Sequence, residues 1–272
     1  IIIPLAVVKR LVRIDLPILI GATVIVMLMS IDGHLSRIDG ALLTAALIGY
    51  IAFQFKAFKF NRPPTGQSDA TQRRKEQHTQ EESGRNFHLA LNILLVGAGL
   101  TIMVFGSRWL VEGASAAART LGLSELIIGI TIIAIGTSLP EVATSVLAAL
   151  KGEREIAVGN IVGSNVFNTL GVLGLGSLAA TGLGIEIHQN VLHFDFPIML
   201  AITVACVPIF FSRYQISRWE GAMFIGYYAA YLLHILLKAT NHAATSTFEL
   251  VMLWAVIPLT VLTLVFVTWR NY

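Results

Sequence analysis

Apolar runs of about 20 residues recur along nearly the whole 272-residue chain, and they limit the folds open to it. A run of this length crosses the hydrocarbon core of a bilayer as an α-helix, which satisfies its own backbone hydrogen bonds. The runs are continuous rather than alternating, which favours helices over strands. Charged residues make up only 13% of the sequence, about half the share of a soluble domain. The sequence therefore predicts an all-α, polytopic helical membrane protein.

The apolar runs divide into eight predicted spans. Their approximate bounds are 14–31, 38–57, 87–111, 123–150, 155–180, 192–212, 217–238 and 248–269. Segment 61–86 is polar and poor in hydrophobic residues, which predicts a disordered linker. Cys206 is the only cysteine, so no intrachain disulfide is possible.

The distribution of positive charge predicts the orientation of these spans. If the spans cross in alternation, fifteen of the nineteen Lys and Arg residues fall on one side. The positive-inside rule makes that side, with linker 61–86, cytoplasmic. The net charge of +3 then reflects loop composition, so we expect a lipid bilayer and no nucleic acid as a partner. The sequence does not indicate any protein partner.

A two-span unit occurs twice in the sequence. Segment 13–19, Arg-Ile-Asp-Leu-Pro-Ile-Leu, matches 193–199, His-Phe-Asp-Phe-Pro-Ile-Met, and Leu35–Ala41 matches Ile216–Ala222. The offset is 180 residues and drifts to 181. Five predicted spans separate the starts of the two copies, so the copies cross the membrane in opposite directions. Inverted repeats of this kind characterise secondary transporters, whose substrate site lies between the repeats.

The repeat also predicts how the chain is organised. Three spans over 87–180 precede the second copy, and their counterparts would fall before residue 1, so we expect an N-terminally truncated transporter. The predicted parts are the remainder of the first repeat (1–60), a cytoplasmic linker (61–86), the second repeat (87–240) and an additional C-terminal span (241–272).

A carboxylate lies inside the predicted span 123–150. Pro140 lacks an N–H and crowds the carbonyl of Gly136, so the helix should kink or break there. Thr137 and Glu141 are four residues apart and share a face, with Thr144 and Ser145 one turn on. Carbonyls, hydroxyls and one carboxylate form a hard oxygen site suited to calcium, sodium or a proton. The competing interpretation is a kinked helix with a protonated Glu141, but intramembrane carboxylates are generally functional.

The next predicted span carries a polar stripe. Asn160, Ser164 and Asn168 are spaced at i, i+4 and i+8, while Gly159 and Gly163 allow close helix approach. These polar groups either hold two helices together or, with the preceding span, enclose one cavity.

The segment Gly136-Thr-Ser-Leu-Pro-Glu141, followed by Gly159-Asn-Ile-Val-Gly-Ser-Asn-Val-Phe-Asn168, resembles the second α-repeat of the cation/calcium exchanger superfamily. This α-repeat occupies residues 131–170, and the resemblance extends to about residue 240. It implies an inverted-repeat exchanger fold of the sodium/calcium exchanger-like type. It also implies a set of ion ligands: Thr137, Ser138, Glu141, Ser164 and Asn168.

The resemblance implies a secondary active antiporter that exchanges calcium for sodium or protons. Calcium and a counter-ion are then the substrates, no cofactor is needed, and a bacterial inner membrane is the expected location. Some members of this superfamily carry Asp at the position that Asn168 occupies here, and Asn in its place removes one negative charge. The first α-repeat and its own Glu are absent from these residues, so we expect the 272-residue chain alone not to transport.

Three alternatives remain open at this point. The first is an antiporter of another cation, either sodium/proton or magnesium. The second is a non-transporting membrane protein with a degenerate site. The third is a membrane-embedded enzyme with Glu141 as general acid or base, although the sequence shows no nucleophile–base pair for one.

Overall fold

The computed structural model describes residues 4–60, 78–123, 125–211 and 214–271. Helices dominate these ranges. The α-helices are α1 (Leu16–Met29), α2 (Arg37–Phe60), α3 (His78–Thr120), α4 (Glu125–Ile128), α5 (Ala134–Thr137), α6 (Leu139–Leu150), α7 (Arg154–Phe167), α8 (Leu173–Ala179), α9 (Phe196–Phe211), α10 (Arg218–Ala239), α11 (Thr245–Val251) and α12 (Ile257–Asn271). Short π-helical segments cover Leu11–Asp15, Gly129–Ile133, Asn168–Val172, Val191–Asp195 and Met252–Val256. Four two-residue strands are β1 (Leu5–Ala6), β2 (His34–Leu35), β3 (Ile185–Glu186) and β4 (Gln215–Ile216).

Seven helices in the described part of the chain are long and apolar enough to cross a membrane. A bent pair, Thr131–Thr137 with Leu139–Leu150, makes eight if it is one span. The all-α, polytopic prediction is therefore confirmed. The linker prediction needs a correction, because α3 already begins at His78 and residues 78–86 are helical. Residues 61–77 of that predicted linker lie outside the described residues.

The chain forms two compact units, which we describe separately. The first comprises Ile1–Tyr50 and Glu141–Tyr272, and the second Ile51–Pro140. The core of the first unit is apolar and is built mainly from α1, α7 and α9, with Val26 and Val166 fully buried. In the second unit, Ile128 is fully buried where α3, α4 and α5 pack together.

The sequence repeat reappears as a repeated hydrogen bond in the first unit. The Tyr50 hydroxyl donates to Asp15 Oδ1 at 2.9 Å, and the Tyr231 hydroxyl donates to Asp195 Oδ1 at 2.8 Å. The position of each aspartate two residues before a proline favours a helix-cap role, and for Asp15 this is wrong. Asp15 makes no capping hydrogen bond, because a π-helical turn runs continuously into α1. Each carboxylate instead joins the two helices of its own repeat.

Three of the π-helical turns lie directly before a proline-containing helix. Leu11–Asp15 and Val191–Asp195 end two residues before Pro17 and Pro197, and Met252–Val256 stands in the same relation to Pro258. Proline cannot donate the usual helical hydrogen bond. In each case the residue before the proline donates its N–H five residues back, as Leu16 does to Leu11. The helices thus continue through each proline without a break.

The short strands link the two repeats. β1 pairs antiparallel with β4, and β2 pairs antiparallel with β3. By the sequence offset, β1 is equivalent to β3 and β2 to β4, so each sheet joins one strand from each copy. The following helices begin alike, since the backbone N–H and hydroxyl of Ser36 both donate to Asp39, and those of Ser217 to Glu220.

Glycines let α2 and α8 approach very closely. A Cβ atom added at Gly40 would lie 2.7 Å from the carbonyl oxygen of Gly174 and 2.8 Å from the backbone N of Leu178. A Cβ atom at Gly174 would lie 2.7 Å from Thr44 Oγ1. These neighbours are largely backbone atoms, which cannot move aside without shifting a helix.

This contact predicts opposite effects for two glycine substitutions in α2. We expect Gly40→Ala to lower the free energy of unfolding by about 1–3 kcal/mol, as overpacking does. Gly49→Ala on the same helix meets open space and should be neutral or stabilise by up to about 1 kcal/mol. Thermal unfolding of both variants in detergent measures the difference, and equal midpoints would contradict the packing described.

Candidate functional site: a broken helix with an unpaired carboxylate

The predicted break in the span 123–150 is present. Ser138 separates α5 from α6, and the two flanking segments, Thr131–Thr137 and Leu139–Leu150, are bent by 46°. Pro140 lacks the N–H that would bond the carbonyl of Gly136, which explains the position of the break. The prediction of a kink at Pro140 is confirmed.

The hydroxyl groups beside the break donate their protons to backbone. Thr137 Oγ1 and Ser138 Oγ donate to the carbonyl of Ala134 at 3.2 and 3.3 Å. Ser164 Oγ on α7 does the same to the carbonyl of Ile161 at 2.9 Å. A hydroxyl has one proton and two lone pairs, so each of these oxygens keeps acceptor capacity. They can therefore act as neutral ligands to a cation.

The Glu141 carboxylate lies in the first turn of α6 and is partly buried. Its Oε2 atom is buried and has no hydrogen-bond partner among the described residues. A buried carboxylate without a donor is costly in its charged form. This oxygen can accept a cation as its partner, which makes Glu141 the centre of the candidate site.

Asn160 joins α7 to α6 beside Glu141. Its Nδ2 lies 2.9 Å from Thr144 Oγ1, 3.0 Å from Ser145 Oγ and 3.4 Å from the carbonyl oxygen of Glu141. Ser145 is buried, so its contact with Asn160 is partly buried, whereas the contact with Thr144 is exposed. Asn160 of the polar stripe of α7 therefore contacts the hydroxyl face of α6.

The five predicted ligands differ in how the structure places them. Glu141, Ser164 and Asn168 belong to the first unit, and Thr137 and Ser138 belong to the second. In the described part of the chain, Ser164 and Asn168 make no hydrogen bond to the Glu141 region. Asn168 begins a π-helical turn and its side chain is exposed.

Asn160 is absent from the predicted ligand set although it touches this region. Its spacing of four residues from Ser164 was a sufficient signal, since it placed Asn160 on the polar face of α7. Across the described ranges, no cluster of three or more His, Cys, Asp and Glu side chains could hold a metal.

Fold and site together define a class of protein. A two-span unit recurs in opposite orientation, and an interrupted helix between the copies in the sequence carries a partly buried carboxylate and hydroxyls. This is an integral membrane protein of the inverted-repeat class, in which broken helices build the substrate sites of secondary transporters.

Comparison with known proteins identifies the family. The family described as "Sodium/calcium exchanger protein" matches residues 91–237. The putative antiporter CaxA of Alkalimonas amylolytica is 35% identical over 231 residues, which cover 82% of this chain and 69% of that protein. The inner membrane protein YrbG of Escherichia coli is 34% identical, covering 84% of this chain and 68% of its own length. The chain belongs to the sodium/calcium exchanger protein family, as its motifs predicted.

Solved structures agree with this assignment. One structure of the sodium-calcium exchanger NCX_Mj, soaked with Na⁺ and Sr²⁺, superimposes with a TM-score of 0.63 at 26% identity. The match covers 88% of this chain and 68% of that one. The predicted inverted-repeat exchanger fold is confirmed.

Proposed function

We propose that this protein is a secondary active antiporter that exchanges calcium for sodium or protons across a membrane. The observation that carries the proposal is the buried Oε2 of Glu141, which has no hydrogen-bond donor among the described residues. Membership of the exchanger family supports calcium as the cargo rather than another cation.

Glu141 supplies the negative charge in this proposal. A carboxylate held away from water attracts a cation strongly, because the surroundings screen the charge poorly. Oxygen is also the ligand that calcium and sodium prefer. When the cation leaves, a proton or a second cation must neutralise Glu141, and this requirement couples the two ion movements.

Neutral oxygens complete the proposed ligand set. Thr137 and Ser138 lie four and three residues before Glu141, and Ser164 and Asn168 belong to the next span. The hydroxyls of Thr137, Ser138 and Ser164 have their protons directed to backbone carbonyls. Such oxygens present lone pairs and not protons to a cation, which suits them to bind and release it without titrating.

Asn160 has a positioning role in this proposal. Its amide is within hydrogen-bond distance of the carbonyl of Glu141 and of two hydroxyls of α6. It therefore holds the first two turns of α6 against α7. The orientation of the Glu141 carboxylate depends on that contact.

The test is calcium uptake by vesicles that carry the full-length protein, with a sodium gradient and a pH gradient imposed separately. We expect one gradient to drive calcium accumulation above the external concentration, and an ionophore specific for that gradient to abolish it. The responsive gradient identifies the counter-ion. Uptake that is unchanged when both gradients are collapsed would contradict antiport.

A further inference from the structure

A cavity lies within the first unit, and none of its lining residues belongs to the broken helix. It has a volume of about 500 Å³, within the range of sites for small molecules. Its walls come from α9, α10 and the C-terminal helices α11 and α12. The C-terminal span, whose role the sequence did not indicate, thus forms one side of a cavity.

The cavity is lined mostly by apolar residues, and two polar residues of its wall, Tyr227 and Thr260, are hydrogen-bonded to each other. Small side chains on two helices, Ala201, Ala205 and Ala230, leave the space, and larger apolar residues such as Met223, Leu253 and Ile257 surround it. A chain of methylene groups is the ligand chemistry that such a lining favours.

Polar side chains gather at one end of this cavity. His234 is 4% exposed, and its ring lies between Phe194, with centroids 4.4 Å apart, and Phe248, with centroids 6.2 Å apart. Its Nδ1 is 3.8 Å from Glu249 Oε1, whereas its Nε2 is buried without a partner in the described part of the chain. The Lys238 ammonium lies 5.7 Å from the Phe194 ring centroid.

The polar end of the cavity lies near the turn that joins α10 to α11. Residues 240–244 join α10 to α11, so His234 and Glu249 lie near this turn, whereas Met223 lies towards the other end of α10. The eleven residues from Met223 to His234 correspond to about 16 Å of helix. This is close to the depth of one leaflet, since the whole hydrocarbon core is about 30 Å thick.

We propose that this cavity binds one acyl chain of a zwitterionic aminophospholipid, with its head group at the polar end. The Glu249 side chain is 54% exposed, so its carboxylate is the group at this end that can reach the lipid ammonium. The phosphate then lies towards Lys238, so the charges of the head group and of the cavity mouth are complementary.

Native mass spectrometry of the full-length protein tests the cavity. The protein is mixed with equal amounts of phosphatidylethanolamine and phosphatidylglycerol, and the fraction that keeps one lipid at rising collision energy is measured. We expect a single retained phosphatidylethanolamine. Ala230→Phe fills the cavity and should reduce that fraction at least about tenfold, equivalent to about 1.4 kcal/mol of binding free energy.

Ala229→Phe is the matched control, because Ala229 is the adjacent residue, is exposed and does not line the cavity. Equal lipid retention by the two variants would overturn the proposal.

A second variant tests the head group without changing the cavity volume. Glu249→Gln removes the charge that faces the ammonium, so the preference for phosphatidylethanolamine over phosphatidylglycerol should fall at least about threefold. An unchanged ratio would overturn the zwitterionic assignment. A fatty acid that is retained as well as either phospholipid would overturn the need for a phosphate.

Discussion

Glu141→Gln is expected to reduce gradient-driven calcium uptake to the level of empty vesicles. The amide is nearly isosteric with the carboxylate but carries no charge, and in our proposal the carboxylate is the charged ligand of the cation. The measurement is radioactive calcium uptake by vesicles under the gradient that drives the wild-type protein. Retained uptake in Glu141→Gln would exclude Glu141 as an essential ligand.

The same variant should separate loss of binding from loss of folding. Calcium at 100 times its dissociation constant would stabilise the wild-type protein by about 2.7 kcal/mol, which raises its melting temperature. Glu141→Gln should lose that calcium-dependent rise while unfolding without calcium at a similar or higher temperature. The reason is that it removes a buried carboxylate whose Oε2 has no hydrogen-bond donor among the described residues.

Glu125→Gln is the matched control for this experiment. Glu125 is an exposed residue of α4, and Arg119 donates hydrogen bonds of 2.6 and 3.0 Å to its two oxygens. These hydrogen bonds from Arg119 hold the pKa of the Glu125 carboxyl below its usual value. An exposed ion pair contributes little to stability. We therefore expect Glu125→Gln to keep both transport and the response to calcium.

Asn160→Leu is the second substitution with a large expected effect. It replaces the amide by an apolar group of similar size and leaves the buried Ser145 hydroxyl without its donor. We expect a loss of about 1–3 kcal/mol in unfolding free energy, the usual cost of an orphaned polar group. We also expect calcium uptake to fall at least about tenfold, which corresponds to 1.4 kcal/mol in the transport barrier.

The control for this substitution is Asn165→Leu, since Asn165 lies on the same helix with an exposed side chain. Thermal unfolding and the calcium dependence of uptake are measured on both variants. A positioning role predicts that Asn160→Leu raises the calcium concentration needed for half-maximal uptake, while Asn165→Leu leaves it unchanged. If both variants transport normally, Asn160 does not orient the site.

Several features of the candidate site were predictable because they are local. The break at Pro140 follows from a missing N–H within one helical turn, so sequence alone locates it. The shared face of Asn160 and Ser164 follows from helical periodicity. In the same way, the ligand candidates Thr137, Ser138 and Glu141 lie within five residues of one another.

Other features depend on partners that are remote in the sequence. Asp15 looks like a helix cap from its position before Pro17, but the structure directs it to Tyr50, 35 residues away. Asn160 was visible as part of a stripe, yet its contacts with Thr144 and Ser145 required two helices to pack in one register. Helical periodicity fixes which residues share a face, but it does not fix how α6 and α7 are placed against each other.

For this protein, the sequence by itself determined the helical membrane character, the repeat and the position of the carboxylate in the chain. These depend on apolar run length, on residue identity and on single prolines, which act over one or two helical turns. Only the tertiary structure decided that Oε2 of Glu141 is buried without a hydrogen-bond partner among the described residues. It also decided that Asn160 bridges α6 and α7, and that the C-terminal span closes a cavity around His234. The physical reason is that burial and hydrogen bonding arise between segments far apart in the chain, and their geometry is set by side-chain packing.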